Sequence, residues 1–291
     1  MSAGARAGQD SGRPRALFGV AAATVLWSSG GILVKWVTAH PMAICGLRSL
    51  IAIPILLLFL RKPRFTWSFA QVGAAIAYSA TVISFVIATR LTTAANAILL
   101  QYTSPIYVAL AGGWLLQERT AALDWLAIAV VLAGLALFFF DRLSLAGLTG
   151  NLVAIGSGLS FALMLIFLRK QKSGSPMESI VLGNALTAVV GLPFALRWWP
   201  NAEAWPGILL MGLFQLGLPY VIYTRAIRRV TAVEAVLIKG LEPILNPLWV
   251  YLFIGESPGR WAALGGAIVF VAITARALLG SLVARKAAGA A

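Results

Sequence analysis

Two stretches of the chain, TAANAILLQYTSPIYVALAGGWLLQE at residues 93–118 and TAVEAVLIKGLEPILNPLWVYLFIGE at residues 231–256, repeat one pattern. A shift of 138 residues lays Thr93 on Thr231, Pro105 on Pro243 and Glu118 on Glu256, and eight of the 26 positions are identical. Ala94/Ala232, Ala97/Ala235, Leu99/Leu237, Ile106/Ile244 and Leu110/Leu248 complete the set. So apolar a composition yields roughly two or three such identities by chance. Each stretch is long enough to cross a hydrocarbon core of ~30 Å. They are read as corresponding helices of a repeated unit.

Outward from this pair, apolar segments fall at 17–38, 42–60, 68–89, 92–117, 121–140, 147–168, 177–197, 205–225, 231–254 and 259–280. The fold class is therefore all-α integral membrane, with ten transmembrane helices as two five-helix repeats. Five is odd, so the second repeat enters the membrane from the opposite face, and the two inverted halves enclose a central cavity. The expected organisation is a cytoplasmic tail over 1–16, a first repeat over 17–141, a second over 142–280 and a cytoplasmic tail over 281–291. The run from Leu17 is too long for the apolar region of a signal peptide and lacks a clean cleavage site, so it is read as the first span.

Composition agrees: 60% of residues are hydrophobic and 11% charged, whereas a soluble domain carries about a quarter charged residues. The net charge of +14 suggests nucleic acid until its placement is considered. The basic residues cluster between apolar runs, as at Arg61, Lys62 and Arg64 or Arg169, Lys170 and Lys172, so no nucleic-acid partner is expected. With the amino terminus inside, sixteen Lys and Arg fall in inner segments and five in outer ones. That bias places both termini in the cytoplasm. Trp36, Trp67, Trp125, Trp198, Trp199, Trp205 and Trp261 lie near span ends, where an amphipathic ring prefers the interface.

Pro105 and Pro243 sit near the centres of their helices, each freeing the carbonyl four residues earlier, those of Gln101 and Lys239, and they are read as hinges. In the ninth span Ala235, Lys239, Glu242 and Asn246 share one helical face; in the fourth the equivalent face is Ala97, Gln101, Ser104 and Val108. Charge in a bilayer core needs a partner, a water cavity or a ligand. Two readings stand: Lys239 and Glu242 pair with each other, or Lys239 meets a substrate carboxylate while Glu242 meets an ammonium or a coupling proton. Trp27, Tyr78, Ser160, Met164, Gln215 and Tyr220 join Gln101, Lys239, Glu242 and Asn246 as candidate cavity residues, each open to the alternative that it packs or bonds a neighbouring helix. Arg48, about two turns from the outer end of the second span, is read first as snorkelling outward, with a place beside Lys239 as a second cavity cation as the alternative. Gly30-Gly31 and Gly156-x-Gly158 are read as close-packing sites.

The reaction chemistries exclude themselves. Cys45 and His40 are the only residues of their types, so no intrachain disulfide, Cys-rich site or multi-histidine metal site can form. Glu242 is the only carboxylate near mid-membrane, which leaves no acid pair or nucleophile–base dyad for an intramembrane enzyme. No Walker-type glycine loop is present, so no nucleotide-hydrolysing domain and no cofactor are expected on this chain. A secondary transporter of a small-molecule substrate, moving it by alternating access across the lipid bilayer, fits the inverted halves.

On these residues the chain resembles the drug/metabolite transporter superfamily, specifically its ten-helix bacterial exporters made of two similar halves. The resemblance covers residues 17–280 and rests on Thr93-Ala94-Ala95 through Pro105 to Glu118, on Thr231-Ala232-Val233 through Pro243 to Gly255-Glu256, and on Trp27-Ser28-Ser29. It implies export of small metabolites through a cavity between the halves, and looks closest to exporters of amino acids, aromatic ones included. Lys239 with Glu242 would suit a zwitterion. The chain departs from a strict repeat where Gln101 stands opposite Lys239 and Ser104 opposite Glu242. Carriers of sugar phosphates or nucleotide sugars, which would gather several basic groups around the substrate, are the alternative.

Overall fold

The computed structural model of the protein describes residues 12–60, 62–92, 94–117, 121–142, 148–171, 174, 176–245, 249, 252 and 260–289. Its helices, in chain order, are α1 (Arg13–Ser28), α2 (Gly30–Trp36), α3 (Pro41–Leu58), α4 (Phe69–Leu91), α5 (Ala94–Gln101), α6 (Ser104–Leu115), α7 (Ala122–Arg142), α8 (Leu148–Lys170), α9 (Pro176–Arg197), α10 (Trp205–Leu210), α11 (Leu218–Ala226), α12 (Ala232–Lys239) and α13 (Arg260–Gly289). No strand occurs among the described residues. The last helix runs nine residues past the expected end of the tenth span at Gly280.

Starts and breaks follow local chemistry. Helix α3 begins at Pro41, with the His40 Nδ1 accepting from the Met42 amide, and α4 begins after Ser68, whose side chain accepts from Gln71. The first span divides at Ser29, where the Ser28 and Ser29 hydroxyls donate back to the Val25 and Leu26 carbonyls ahead of two glycines. The fourth and ninth spans are interrupted, not merely kinked: turns at Tyr102–Thr103 and Gly240–Leu241 separate α5 from α6 and α12 from a second helical segment at 242–245. Pro105 and Pro243 occupy the first turn of each new helix, where a missing N–H costs nothing. The eighth span is irregular in another way. Between α10 and α11 the backbone adopts a π-helix over Met211–Gly217, because the Pro219 ring excludes the ordinary bond to the Gln215 carbonyl and widens the turn.

The packing reveals the inverted repeat directly. The second span (α3) lies along the seventh (α9), the fourth (α6) against the ninth (α12), and the fifth (α7) along the tenth (α13). The third-with-sixth contact (α4 with α8) has its counterpart in the eighth-with-first (α11 with α1). Every one of these pairings survives exchanging each span for the one five places on, as two halves related by an internal two-fold axis require. At that axis α3 and α9 meet on Gly46 and Gly191: a Cβ on Gly46 would lie 2.7 Å from the Gly191 backbone carbon, so only hydrogen fits.

Phe18, Leu110, Trp114, Val189 and Val271 are exposed on the outside of the bundle, the surface a bilayer would solvate. Six of the described spans are long and apolar enough to cross a membrane, and shorter apolar helices at Ser104–Leu115, Ala122–Leu137 and Ala263–Arg276 accompany them. Inside, polar groups are paired across helices: Tyr78 donates to Asn184 Oδ1 (3.0 Å), Thr187 bonds Ser79 (3.0 Å), and Arg276 of α13 pairs with Asp124 of α7.

Candidate functional site: a charged cavity between the two halves

Where the broken fourth and ninth spans face each other, the two halves leave a cavity of about 60 Å³. Its wall is shared: Trp27, Arg48, Thr81, Val82, Phe85 and Gln101 come from the first half, and Phe161, Leu216, Tyr220, Lys239 and Glu242 from the second. The cavity has room for a few water molecules.

The ninth-span break presents both of its charges to this space. Lys239 ends α12, Glu242 opens the next segment, and their side chains form an ion pair. Tyr102, at the fourth-span break, completes the group from the opposite half: its hydroxyl lies 2.8 Å from Glu242 Oε2 and 2.7 Å from the Lys239 carbonyl oxygen. That carbonyl is the one freed by Pro243, so the hydroxyl of one half caps the broken helix of the other. Having a single proton, it donates to one acceptor at a time. The ammonium of Lys239 is also ringed by aromatic faces, with Phe161 at 4.6 Å, Tyr102 at 5.2 Å and Trp27 at 5.5 Å.

Gln101 makes the matching contact in the other broken span. Its Nε2 donates to Ser157 Oγ (2.7 Å), and Ser157 donates to the Thr81 carbonyl (3.2 Å), linking α5, α8 and α4. Its own carbonyl lies against Gly158, where a Cβ would come within 2.8 Å of it. Gly158 is thus the close-packing glycine of its pair, whereas open space surrounds the Cβ position of Gly156.

Arg48 overturns the expectation that it snorkels. Its side chain is buried, pointing inward, with Nη1 donating to Gln215 Oε1 (2.8 Å) and Nη2 reaching the Val82 carbonyl (3.4 Å). Gln215 lies in the π-helical stretch, and the absence of a side chain at Gly30 makes room for its amide. Trp27, Tyr220, Tyr223 and Tyr78 form an edge-to-face aromatic cluster beside the cavity, with Trp27 to Tyr220 at 4.9 Å and Tyr78 to Tyr220 at 5.0 Å.

Of the residues singled out from sequence, Trp27, Gln101, Tyr220, Lys239 and Glu242 reach the cavity wall. Gln215 and Tyr78 stand behind it, bonded to Arg48 and Asn184. Met164 is fully buried in the hydrophobic core, and Ser160 lies off the cavity wall, on α8 three residues past Ser157, which bonds Gln101. Asn246 lies outside the described residues. Arg48 takes the cavity position that was its second reading, and sequence reasoning missed Tyr102, Ser157 and Phe161; only Tyr102, flanking the proline-broken turn next to Gln101, carried a local signal.

The sequence matches a model described as the EamA-like transporter family over residues 14–140 and again over 148–275, one match in each half. The chain belongs to the EamA-like transporter family. It is accordingly a multi-pass membrane transporter of small molecules, not an enzyme, and the drug/metabolite transporter resemblance holds. Among relatives, an uncharacterized transporter of Archaeoglobus fulgidus is 27% identical over 69% of this chain and 73% of its own length. The pseudopaline exporter CntI of Pseudomonas aeruginosa is 28% identical over 62% of this chain and 65% of its own. The threonine/homoserine exporter RhtA of Escherichia coli is 26% identical over 59% of each. The chain thus spans less than two thirds of either exporter. A protein of known crystal structure shares the fold, with a TM-score of 0.76 at 19% identity, over 93% of this chain and 99% of that one.

Proposed function

We propose that this EamA-like chain exports amino acids, aromatic ones included, across a bacterial inner membrane by alternating access, with both termini cytoplasmic and the cavity as its substrate site. The observation that carries this reading is the composition of the cavity wall, where basic groups and one carboxylate stand among Trp27, Phe85, Phe161 and Tyr220. A zwitterion with an apolar side chain matches charges of both signs in an aromatic chamber. The wall draws on both halves, six residues from the first and five from the second, so rocking one half against the other about the breaks ahead of Pro105 and Pro243 would open it to either face in turn. Relatives named as exporters of threonine/homoserine and of pseudopaline support the substrate class.

Sugar phosphates are the less favoured cargo. One of the two cavity cations, Lys239, is already neutralised by Glu242, which leaves a single positive charge for a dianionic phosphate. The test is uptake of labelled phenylalanine, threonine and homoserine into proteoliposomes, beside glucose 6-phosphate, a nucleotide sugar and empty vesicles. Saturable uptake of an amino acid is expected. Uptake of the phosphorylated solutes alone contradicts the assignment.

A further inference from the structure

The charges walling the cavity do not balance. Lys239 and Glu242 neutralise each other, and Arg48 has no acidic partner among the described residues. Arg48 is 2% exposed, and a buried guanidinium without a counter-ion is unfavourable in a bilayer interior. Its donors are also underused: one good bond goes to Gln215, the contact with Val82 is long, the Cys45 thiol beside it is only a weak acceptor, and Nε has no partner. On the same cavity wall the Trp27 Nε1 is a second buried donor without a partner.

We propose that Arg48 and Trp27 form the subsite that takes the substrate's carboxylate, and that this group, not the α-ammonium, dominates recognition. A guanidinium edge offers two parallel N–H groups to a carboxylate, and the indole N–H supplies a third donor. Glu242 Oε2 is already engaged by Lys239 and Tyr102, so an incoming ammonium must compete for it, whereas a carboxylate supplies the charge that the wall lacks. Small aromatic and apolar monocarboxylates without an amino group therefore belong to the substrate class. Gln215 is a positioning residue, holding the guanidinium from the π-helical turn. This inference rests on the amino-acid reading for the shape of its probes.

The experiment is competition against labelled phenylalanine uptake in proteoliposomes by 3-phenylpropionate, phenylalaninamide and phenethylamine. 3-Phenylpropionate should compete at least as well as phenylalanine, and the amide and amine should not. Arg48→Gln should weaken both carboxylates roughly 10- to 100-fold and erase the discrimination against the amide. Arg48→Lys should retain part of it. Trp27→Phe, which keeps a ring and removes only the N–H, should weaken the carboxylates several-fold and the amide not at all, providing a test if Arg48→Gln does not fold. A 3-phenylpropionate that fails to compete, or an Arg48→Gln variant that still rejects the amide as the parent does, overturns the proposal. Direct binding of 3-phenylpropionate to the purified protein, read by tryptophan fluorescence, separates the two claims. Without any amino-acid uptake the export reading fails, while binding that Arg48→Gln abolishes upholds the carboxylate subsite and unchanged binding refutes it.

Discussion

Removing the charges of Lys239 and Glu242 singly and together measures how the broken ninth span is held. The two side chains are each 9% exposed and pair across three residues, with Tyr102 of the other half bonded to the carboxylate. Breaking a buried pair by deleting one partner costs ~3–5 kcal/mol, because the survivor is left uncompensated. Lys239→Met belongs at the upper end, since it also forfeits the faces of Phe161, Tyr102 and Trp27, worth up to ~2 kcal/mol when desolvated. Glu242→Gln belongs at the lower end, because the amide oxygen still accepts from Tyr102 and Lys239. The double variant leaves no stranded charge, so its cost should fall below the sum of the singles by ~2 kcal/mol or more. Unfolding by SDS in mixed micelles, followed by tryptophan fluorescence, gives the cycle. Additivity within ~0.5 kcal/mol would refute the claim that the pair is a coupled unit.

Two other perturbations probe the frame around it. Gly46→Ala places a methyl against the Gly191 backbone at the two-fold axis and should destabilise the protein by ~1–3 kcal/mol in the same titration, whereas Gly156→Ala, facing open space, should be near neutral. Pro219→Ala restores the N–H that the π-helical stretch lacks; the turn should relax toward α-helix, displace Gln215 from Arg48 and raise the transport KM without lowering stability. An unchanged KM would separate the π-helix from the site.

The spans and the repeat were legible because each span must satisfy its backbone alone, which leaves runs of apolar residues and repeated prolines. The same prolines marked the breaks that carry Lys239 and Glu242, although a proline at mid-span reads equally as a kink, and only the turn at Gly240–Leu241 shows a new helix starting. Arg48 was legible only as the less favoured of two readings. A basic residue two turns from a helix end snorkels by default, and what reverses this is Gln215, 167 residues away, presented by a widened turn. Pro219 was the visible trace of that turn. Ser157 in place of Ser160 was a matter of which side of α8 faces Gln101, fixed by packing between halves and not by periodicity within either.

Alternating access requires the two halves to move relative to each other about the cavity, and one contact allows that motion to be locked. Arg13 of α1 and Glu234 of α12 form an ion pair between the first half and the second. With the only cysteine, Cys45, replaced by alanine, Arg13→Cys and Glu234→Cys can be joined by a cleavable bifunctional thiol reagent. Labelled amino-acid exchange across proteoliposomes is then measured before linking, after linking and after cleavage. Exchange should stop on linking and return on cleavage; exchange that continues at the same rate through the linked protein would contradict alternating access between the halves.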